Sequence, residues 1–368
     1  MKKVLLLPFL RFHSGHHQVA DALREYIRIA EPDAQCEKID IFSYASETIE
    51  ALVSRIYLRW IHSFPGVYSW IYRKSAYSHG TRQKRFYSYE LLFLEAMRAL
   101  LREQQPDLVL CTHCLPSYIV GRLRRLGETS VPFVNVYTDF FINNVWDRRT
   151  ADYHFVPDRH IKEQLTASGV EDHRIFVTGI PVHPEIDGSP RIAERQEPRV
   201  TVLLAGGSLG AGQMRTLIEN TRSSAAITYK VLCGKNRRLF DELRQRADPH
   251  IVPMPYIESK SEINRLYHEA DAILTKPGGV TMSECIRIGL PPLIYHSLPG
   301  QEEINFRYLF RLGLVHDWHD WHVGDMESRL LELVSNRSNG WKSKLETYRR
   351  QLTEQDLVST VRHILRSP

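Results

Sequence analysis

Val200-Thr201-Val202-Leu203-Leu204-Ala205-Gly206-Gly207-Ser208-Leu209-Gly210 opens as an unbroken apolar run and closes on a glycine turn. A strand with one wet face alternates apolar and polar residues; a continuous run marks a strand covered on both faces, as in a parallel sheet. The same pattern opens the chain, where Lys3–Leu7 (KVLLL) leads into His13-Ser14-Gly15-His16. After that turn Val19, Leu23 and Ile27 recur at spacing four, which predicts a helix from about His16. Further strands are expected at 107–111, 133–137, 174–178, 229–233, 271–274 and 292–295, with helical patterns between them. Strands alternating with helices give an α/β fold with parallel sheets. A chain of 368 residues suits two such domains. The expected boundaries are an N-terminal domain over 1–184, a linker over 185–198 (EIDGSPRIAERQEP, polar with two prolines), a C-terminal domain over 199–345, and a helix over 346–368 returning to the first domain. Both glycine turns then fall at the carboxyl ends of strands, where open α/β sheets bind ligands. Two Rossmann-like, doubly wound domains facing across a cleft are expected, with the active site in the cleft.

Composition narrows the setting. Five cysteines is an odd count for a disulfide framework and fits a reducing, cytoplasmic compartment. No apolar run approaches the ~18–20 residues of a membrane span. The apolar stretch after Met1-Lys2-Lys3 is cut short by Pro8, Arg11 and His13, so it reads as a first strand rather than a signal peptide. The net charge of +5 is local: residues 51–89 hold seven Lys and Arg, no Asp or Glu, and ten aromatics. Trp60, Trp70, Arg82, Lys84 and Arg85 have the composition of an interfacial anchor on anionic lipid. No nucleic-acid module accompanies them. The expectation is a peripheral protein on the inner face of the cell membrane, with an anionic surface and not nucleic acid as partner.

Residues 275–305 carry the most chemistry. Thr275-Lys276-Pro277-Gly278-Gly279-Val280-Thr281-Met282-Ser283-Glu284 reads as strand, glycine turn and helix. Glycines let main-chain amides approach an anion, and a helix N-terminus adds partial positive charge. Pyrophosphate suits such a turn, and a carboxylate one turn on, Glu284, can accept from two ribose hydroxyls. A bare Pro-Gly-Gly turn with a surface glutamate has the same spelling. Pro299-Gly300-Gln301-Glu302-Glu303-Ile304-Asn305 follows the next strand. Its Gln301, Glu302 and Asn305 suit sugar hydroxyls, or an ordinary polar helix start.

Together these motifs resemble the diacylglycerol glycosyltransferases, which include bacterial processive glucosyltransferases and plant monogalactosyldiacylglycerol synthases. Thr138-Asp139 followed by Trp146, the run Val177-Thr178-Gly179-Ile180-Pro181-Val182, and Gly206-Gly207-Ser208-x-Gly210 extend the likeness over most of the chain. The resemblance implies a GT-B fold and an inverting transfer of a hexose from a UDP-sugar to a hydroxyl acceptor, a membrane lipid such as diacylglycerol. It assigns Glu284 to the ribose and Pro277, Gly278, Gly279 and Thr281 to the nucleotide phosphates. Gly207, Ser208 and Gly210 would bind pyrophosphate from the other loop, with Gly15 also on the donor side. Gln301, Glu302 and Asn305 would contact the donor sugar, and Pro253–Ile257, with Met254 and Ile257, would carry the uracil pocket. His16 would be the base, with Asp139 orienting it or replacing it and Asp40 a weaker carboxylate candidate. Unperturbed histidine titrates near 6.5, and a helix N-terminus would keep His16 neutral. No metal or other cofactor is expected.

The chain departs from the family pattern on the acceptor side. His13 and Ser14 stand where the family loop is glycine-rich, and Asn143 stands where the family has a histidine. A soluble acceptor is therefore an alternative, as are a UDP-sugar 2-epimerase and a non-catalytic UDP-sugar sensor on the same fold. Cys111-Thr112-His113-Cys114 has no second pair at zinc spacing and reads as buried strand-end cysteines.

Overall fold

The computed structural model describes residues 1–9, 14–41, 85–188, 199–206, 214–221, 226–320, 325–335, 340–352 and 356–366. Gly207, Ser208, Gly210, Trp60, Trp70, Arg82 and Lys84 lie outside the described residues, as does His13. The chain divides into two compact units: Met1–Pro184 with Pro299–Gln301 and Gln351–Pro368, and Glu185–Leu298 with Glu302–Arg350.

The first unit is built on β1 (Lys3–Leu7), α1 (Gly15–Ala30), β2 (Gln35–Lys38), α2 (Tyr87–Gln104), β3 (Leu108–Cys111), α3 (Cys114–Arg125), β4 (Phe133–Val136), β5 (Tyr153–Val156), α4 (Arg159–Ala167) and β6 (Ile175–Val177). Its strands form a six-stranded sheet in the order β2-β1-β3-β4-β5-β6, and each described neighbour pair is parallel. Strands β3 and β4 are buried along their whole length; β3 reads as an unbroken apolar run, and the one polar residue of β4, Asn135, donates to the Asp147 carbonyl at 2.8 Å. The order reverses between β1 and β3, and this switch point opens at Leu7 and Cys111. The last described helix of the chain packs on α1, and Arg362 Nε donates to the Ala30 carbonyl at 3.2 Å.

The second unit continues with β7 (Val200–Ala205), α5 (Met214–Asn220), β8 (Ile227–Leu232), α6 (Arg237–Arg246), β9 (Ile251–Met254), α7 (Lys260–Glu269), β10 (Ala272–Thr275), α8 (Gly279–Ile288), β11 (Pro292–Ile294), α9 (Gln301–Arg311), β12 (His316–Asp317), α10 (Met326–Ser335) and α11 (Gly340–Leu352). Helix α12 (Leu357–Arg366) is the one on α1. The second sheet runs β12-β11-β10-β7-β8-β9, the order of a dinucleotide-binding fold, and its switch point lies between β7 and β10. Residues 185–188, expected as linker, are folded onto this unit. Asp187 Oδ1 accepts from Asn264 Nδ2 at 3.3 Å and lies 3.1 Å from His268 Nε2. Gly188 runs so close to α8 that a Cβ there would sit 2.7 Å from the Arg287 carbonyl oxygen. The far end of α8 is closed by Gly289 at φ 80°, and Arg349 Nε donates to the Ile286 carbonyl at 2.7 Å.

Candidate active site

The first unit gathers its polar side chains at the β1/β3 switch point. His16 sits in the opening turn of α1, and Thr112 is the residue that follows β3. His16 Nδ1 is 2.8 Å from the Thr112 carbonyl oxygen and 3.0 Å from Thr138 Oγ1. A carbonyl only accepts, so Nδ1 carries the proton and Nε2 carries the basic lone pair. The Thr112 hydroxyl donates to the His16 carbonyl at 3.0 Å, so one threonine holds the histidine at both ring and backbone. His113 packs edge-on against His16 at 4.6 Å and stacks on Phe9 at 4.3 Å. Its Nδ1 accepts from Leu115 N at 3.1 Å, capping α3.

Burial pushes the His16 pKa down to about 4; the bond to the Thr112 carbonyl opposes this and the neighbouring His17 adds to it. The imidazole is therefore neutral at pH 7, chiefly because it is buried rather than because of the helix terminus invoked above. Burial also lowers His113. Asp139 is half-buried and follows the threonine whose hydroxyl touches His16. Its charge helps push the Cys114 thiol up to about 12, after burial, the larger cause. Cys111 and Cys114 are free thiols. The chemistry of the C-T-H-C stretch thus resides in its middle residues. Asn143 is buried and accepts from Val145 N at 3.0 Å, shaping the turn before Trp146, which packs on Tyr137 at 4.7 Å. Asp40, beyond β2, is buried.

In the second unit the turn between β10 and α8 is braced from α9. Asn305, 1% exposed, donates from Nδ2 to the Pro277 carbonyl at 3.2 Å. Lys276 Nζ lies 3.1 Å from Glu302 Oε1, and Glu302 Oε2 accepts from Leu298 N at 2.7 Å. Gly278 has ordinary extended backbone, and a Cβ added there would meet none of the described residues within 4 Å. Its side of the turn therefore borders open space in front of the first amides of α8. Glu284 is 4% exposed; its Oε2 accepts from the Tyr267 hydroxyl at 2.8 Å, and its Oε1 lies 3.8 Å from Lys260 Nζ. Burial raises the Glu284 pKa, while Lys260 and the Tyr267 bond lower it. Thr281, Gln301, Met254 and Ile257 are half-buried, and Gly279 is buried. Met254 ends β9, and its carbonyl accepts from Cys233 N at 3.1 Å. Gly15 is exposed at the head of α1.

The monogalactosyldiacylglycerol (MGDG) synthase family matches residues 16–182, a span that includes His16, Thr112, Thr138 and Asp139. The uncharacterized glycosyltransferase YkoN of Bacillus subtilis (strain 168) is 40% identical over 99% of this chain and 98% of its own. The chain belongs to this family of glycosyltransferases. A processive diacylglycerol beta-glucosyltransferase of Bacillus cereus (strain B4264) is 29% identical to this glycosyltransferase, over 84% of the chain and 80% of the relative. Among solved structures, the glycotransferase of kitacinnamycin aligns with a TM-score of 0.60, 14% identity, and 99% and 98% of the two chains. MurG of Acinetobacter baumannii aligns at 0.57, with 14% identity and 99% and 98% coverage. At that identity the likeness is one of fold, and the fold is GT-B.

Several side chains that the motifs do not advertise surround the candidate residues: Thr112 and His113 beside His16, and Tyr267 and Lys260 beside Glu284. The one local signal was the Thr138-Asp139 pair, in which the threonine is the residue that touches the imidazole. Arg85, grouped above with the membrane-facing cations, is committed to Glu90: Nη2 and Nε donate to its carboxylate at 2.9 and 3.1 Å. Glu90 also accepts from the Tyr118 hydroxyl at 2.6 Å.

Proposed function

We propose that this glycosyltransferase moves a hexose, with inversion, from a UDP-sugar to the hydroxyl of a membrane lipid such as diacylglycerol. The observation that carries the reading is His16: a neutral imidazole with a fixed tautomer at a switch point, inside the segment that matches the MGDG synthase family. The names of relatives support the lipid acceptor, and the β-product in those names supports inversion, because UDP-glucose is α-linked. The open turn at Gly278 and the carboxylate of Glu284 support a nucleotide diphosphate donor.

In the reaction the acceptor oxygen attacks the anomeric carbon as the bond to the UDP oxygen breaks. His16 Nε2 takes the hydroxyl proton. The amides of α8 hold the charge that develops on the leaving diphosphate. An imidazole with a pKa near 4 is a weak base, so proton transfer belongs late on the path, when the attacking oxygen has become acidic. No divalent ion enters this scheme, and chelation should leave the rate unchanged.

Attachment to the inner membrane face is part of the proposal. No helix among the described residues is long and apolar enough to cross a membrane. Helix α2 instead exposes Tyr87 (66%) and Leu91 (86%) one turn apart, with Leu92 beside them. This apolar ridge begins at the end of the acid-free basic segment, the pairing that interfacial binding needs.

The test is incubation with UDP-glucose, UDP-galactose or UDP-GlcNAc and diacylglycerol vesicles. The expected result is stoichiometric UDP and a β-glycolipid, identified by mass spectrometry and the anomeric proton coupling. UDP-GlcNAc epimerised without UDP release would instead favour the epimerase, UDP release with only a soluble acceptor would move the acceptor class, and donor binding without turnover would leave a sensor.

A further inference from the structure

Three side chains at the carboxyl ends of β11 and β12 form a hydrogen-bonded line that the proposed reaction has not yet used. His319 Nδ1 lies 2.7 Å from Asp317 Oδ1, and His319 Nε2 lies 3.1 Å from Ser297 Oγ. The same Asp317 oxygen accepts from the His319 main-chain N–H at 3.0 Å. Phe306, from α9, packs against the imidazole at 4.7 Å. The ring is therefore held from its backbone, from its Nδ1 edge and from one side.

This arrangement sets the direction of the protons along the line when the imidazole is neutral. An ionised Asp317 only accepts, so His319 Nδ1 is the donor. In the neutral imidazole His319 Nε2 is then a lone pair and accepts from Ser297. The single Ser297 hydroxyl proton points inward, leaving Oγ to present lone pairs, enriched by the carboxylate at the far end of the chain. Ser297 is thus set as an acceptor rather than as a rotor that could serve either way.

Its location gives the acceptor a purpose. The next amide, Leu298 N, is bound by Glu302, and the same carboxylate holds Lys276 beside the Pro277-Gly278 turn. Ser297 is therefore tied to the elements assigned to the donor. Both oxygens of Glu302 already have a protein donor in the free enzyme, which makes another acceptor useful for a ligand that is mostly hydroxyl groups.

We propose that Ser297 is a specificity-determining residue that accepts a hydrogen bond from one hydroxyl of the donor sugar, with His319 and Asp317 as positioning residues. The inference rests on the UDP-hexose donor reading. Its test is calorimetric binding of UDP, UDP-glucose, UDP-galactose and the monodeoxyfluoro analogues of both sugars to the full chain. Fluorine cannot donate, so one ring position should show a loss of roughly 3–10-fold in wild-type affinity. Ser297→Ala should bind the parent sugar nucleotide correspondingly less well and be indifferent to fluorine at that position. His319→Phe keeps the ring contact with Phe306 but frees the hydroxyl to rotate, so its fluorine penalty should be intermediate. Ser297→Thr should restore the penalty. UDP, which has no hexose, should bind all four proteins alike, whereas a merely collapsed loop would weaken every sugar nucleotide equally. The inference is overturned if Ser297→Ala keeps the wild-type fluorine penalty, or if wild type shows none at any position. Failure of wild type to bind UDP or any UDP-sugar would instead overturn the donor reading, and this inference with it.

Discussion

His16 is held at Nδ1 and is basic at Nε2, and its behaviour should follow from that division. His16→Ala is expected to lower transfer by roughly 10²-fold or more while leaving UDP affinity nearly intact, since a base acts on the acceptor in the transition state. The depressed pKa of about 4 predicts that kcat/KM stays flat as pH falls through 6.5, with its acid limb near 4–5. An acid limb near 6.5 would mean that another group, or an unburied His16, is the base. Glu284→Ala should weaken UDP binding by about 1.5–3 kcal/mol per lost charge-assisted bond. Tyr267→Phe should be milder, because it leaves the carboxylate in place; unchanged UDP affinity in Glu284→Ala, read by calorimetry, would remove the ribose role. The glycine turn after an apolar strand announced the helix start, but His16 was singled out from His13 and His17 only by the family resemblance. Its partners were not legible: Thr112 and Thr138 stand 96 and 122 residues away, and no local pattern links a threonine to a ring across such a gap.

At the scale of elements, burial decided what could be read. The predominantly apolar strands β1, β3, β4, β7, β10 and β11 were all anticipated within a residue or two. Strand β2 (QCEK) is an edge strand with alternating exposure and looks like loop. Strand β5 (YHFV) contains His154, buried and pushed down to about 3 chiefly by burial; its four residues, with a histidine second, make too short an apolar run to stand out. Strand β9 contains Pro253, and β12 has two residues. The Glu90 cluster is the element-scale counterpart of the active-site cradle. It ties the head of α2 to α3 through Arg85, Tyr118 and Arg122. Arg85 is half exposed, so solvent screens its pairing, and the main loss in Glu90→Ala is the acceptor of the buried Tyr118 hydroxyl, which should cost about 1 kcal/mol of stability. The Arg85 bond, despite burial, holds the Glu90 pKa at about 2. A depressed carboxylate stabilises above its unfolded pKa and loses that contribution as pH falls from about 4.5 towards 2. Denaturant melts across that window should show a smaller pH dependence in Glu90→Ala than in wild type.

For the whole molecule, the uneven charge is the property to test. Vesicles containing phosphatidylglycerol should bind the protein, neutral vesicles much less, and added salt should weaken the attachment. Arg82→Gln and Lys84→Gln should each cost up to ~1 kcal/mol in a sedimentation assay. Arg85→Gln should cost less, because its charge is matched by Glu90. Tyr87→Ser with Leu91→Ser should leave a shallower, more salt-sensitive attachment, since insertion and attraction are separate contributions. Equal binding to both vesicle types, or none, would remove the membrane from the proposal and make the acceptor a soluble molecule. The two-sheet plan itself was legible from the paired strand-turn openings, whereas the folding of residues 185–188 onto α7 and α8 was not, because a polar, proline-bearing stretch carries no sign of its docking partner.

The packing of α12 on α1 orders events on the ribosome. The second unit is complete once Arg350 has been made, because its segments all lie between Glu185 and that residue. The first unit is begun at residue 1 yet cannot cover α1 until Val361, Ile364 and Leu365 of α12 emerge. For nearly the whole of translation, the part of α1 that α12 covers has no C-terminal helix to meet. A nascent chain in that state is exposed to premature association. The half of the protein synthesised first is thus the half that matures last.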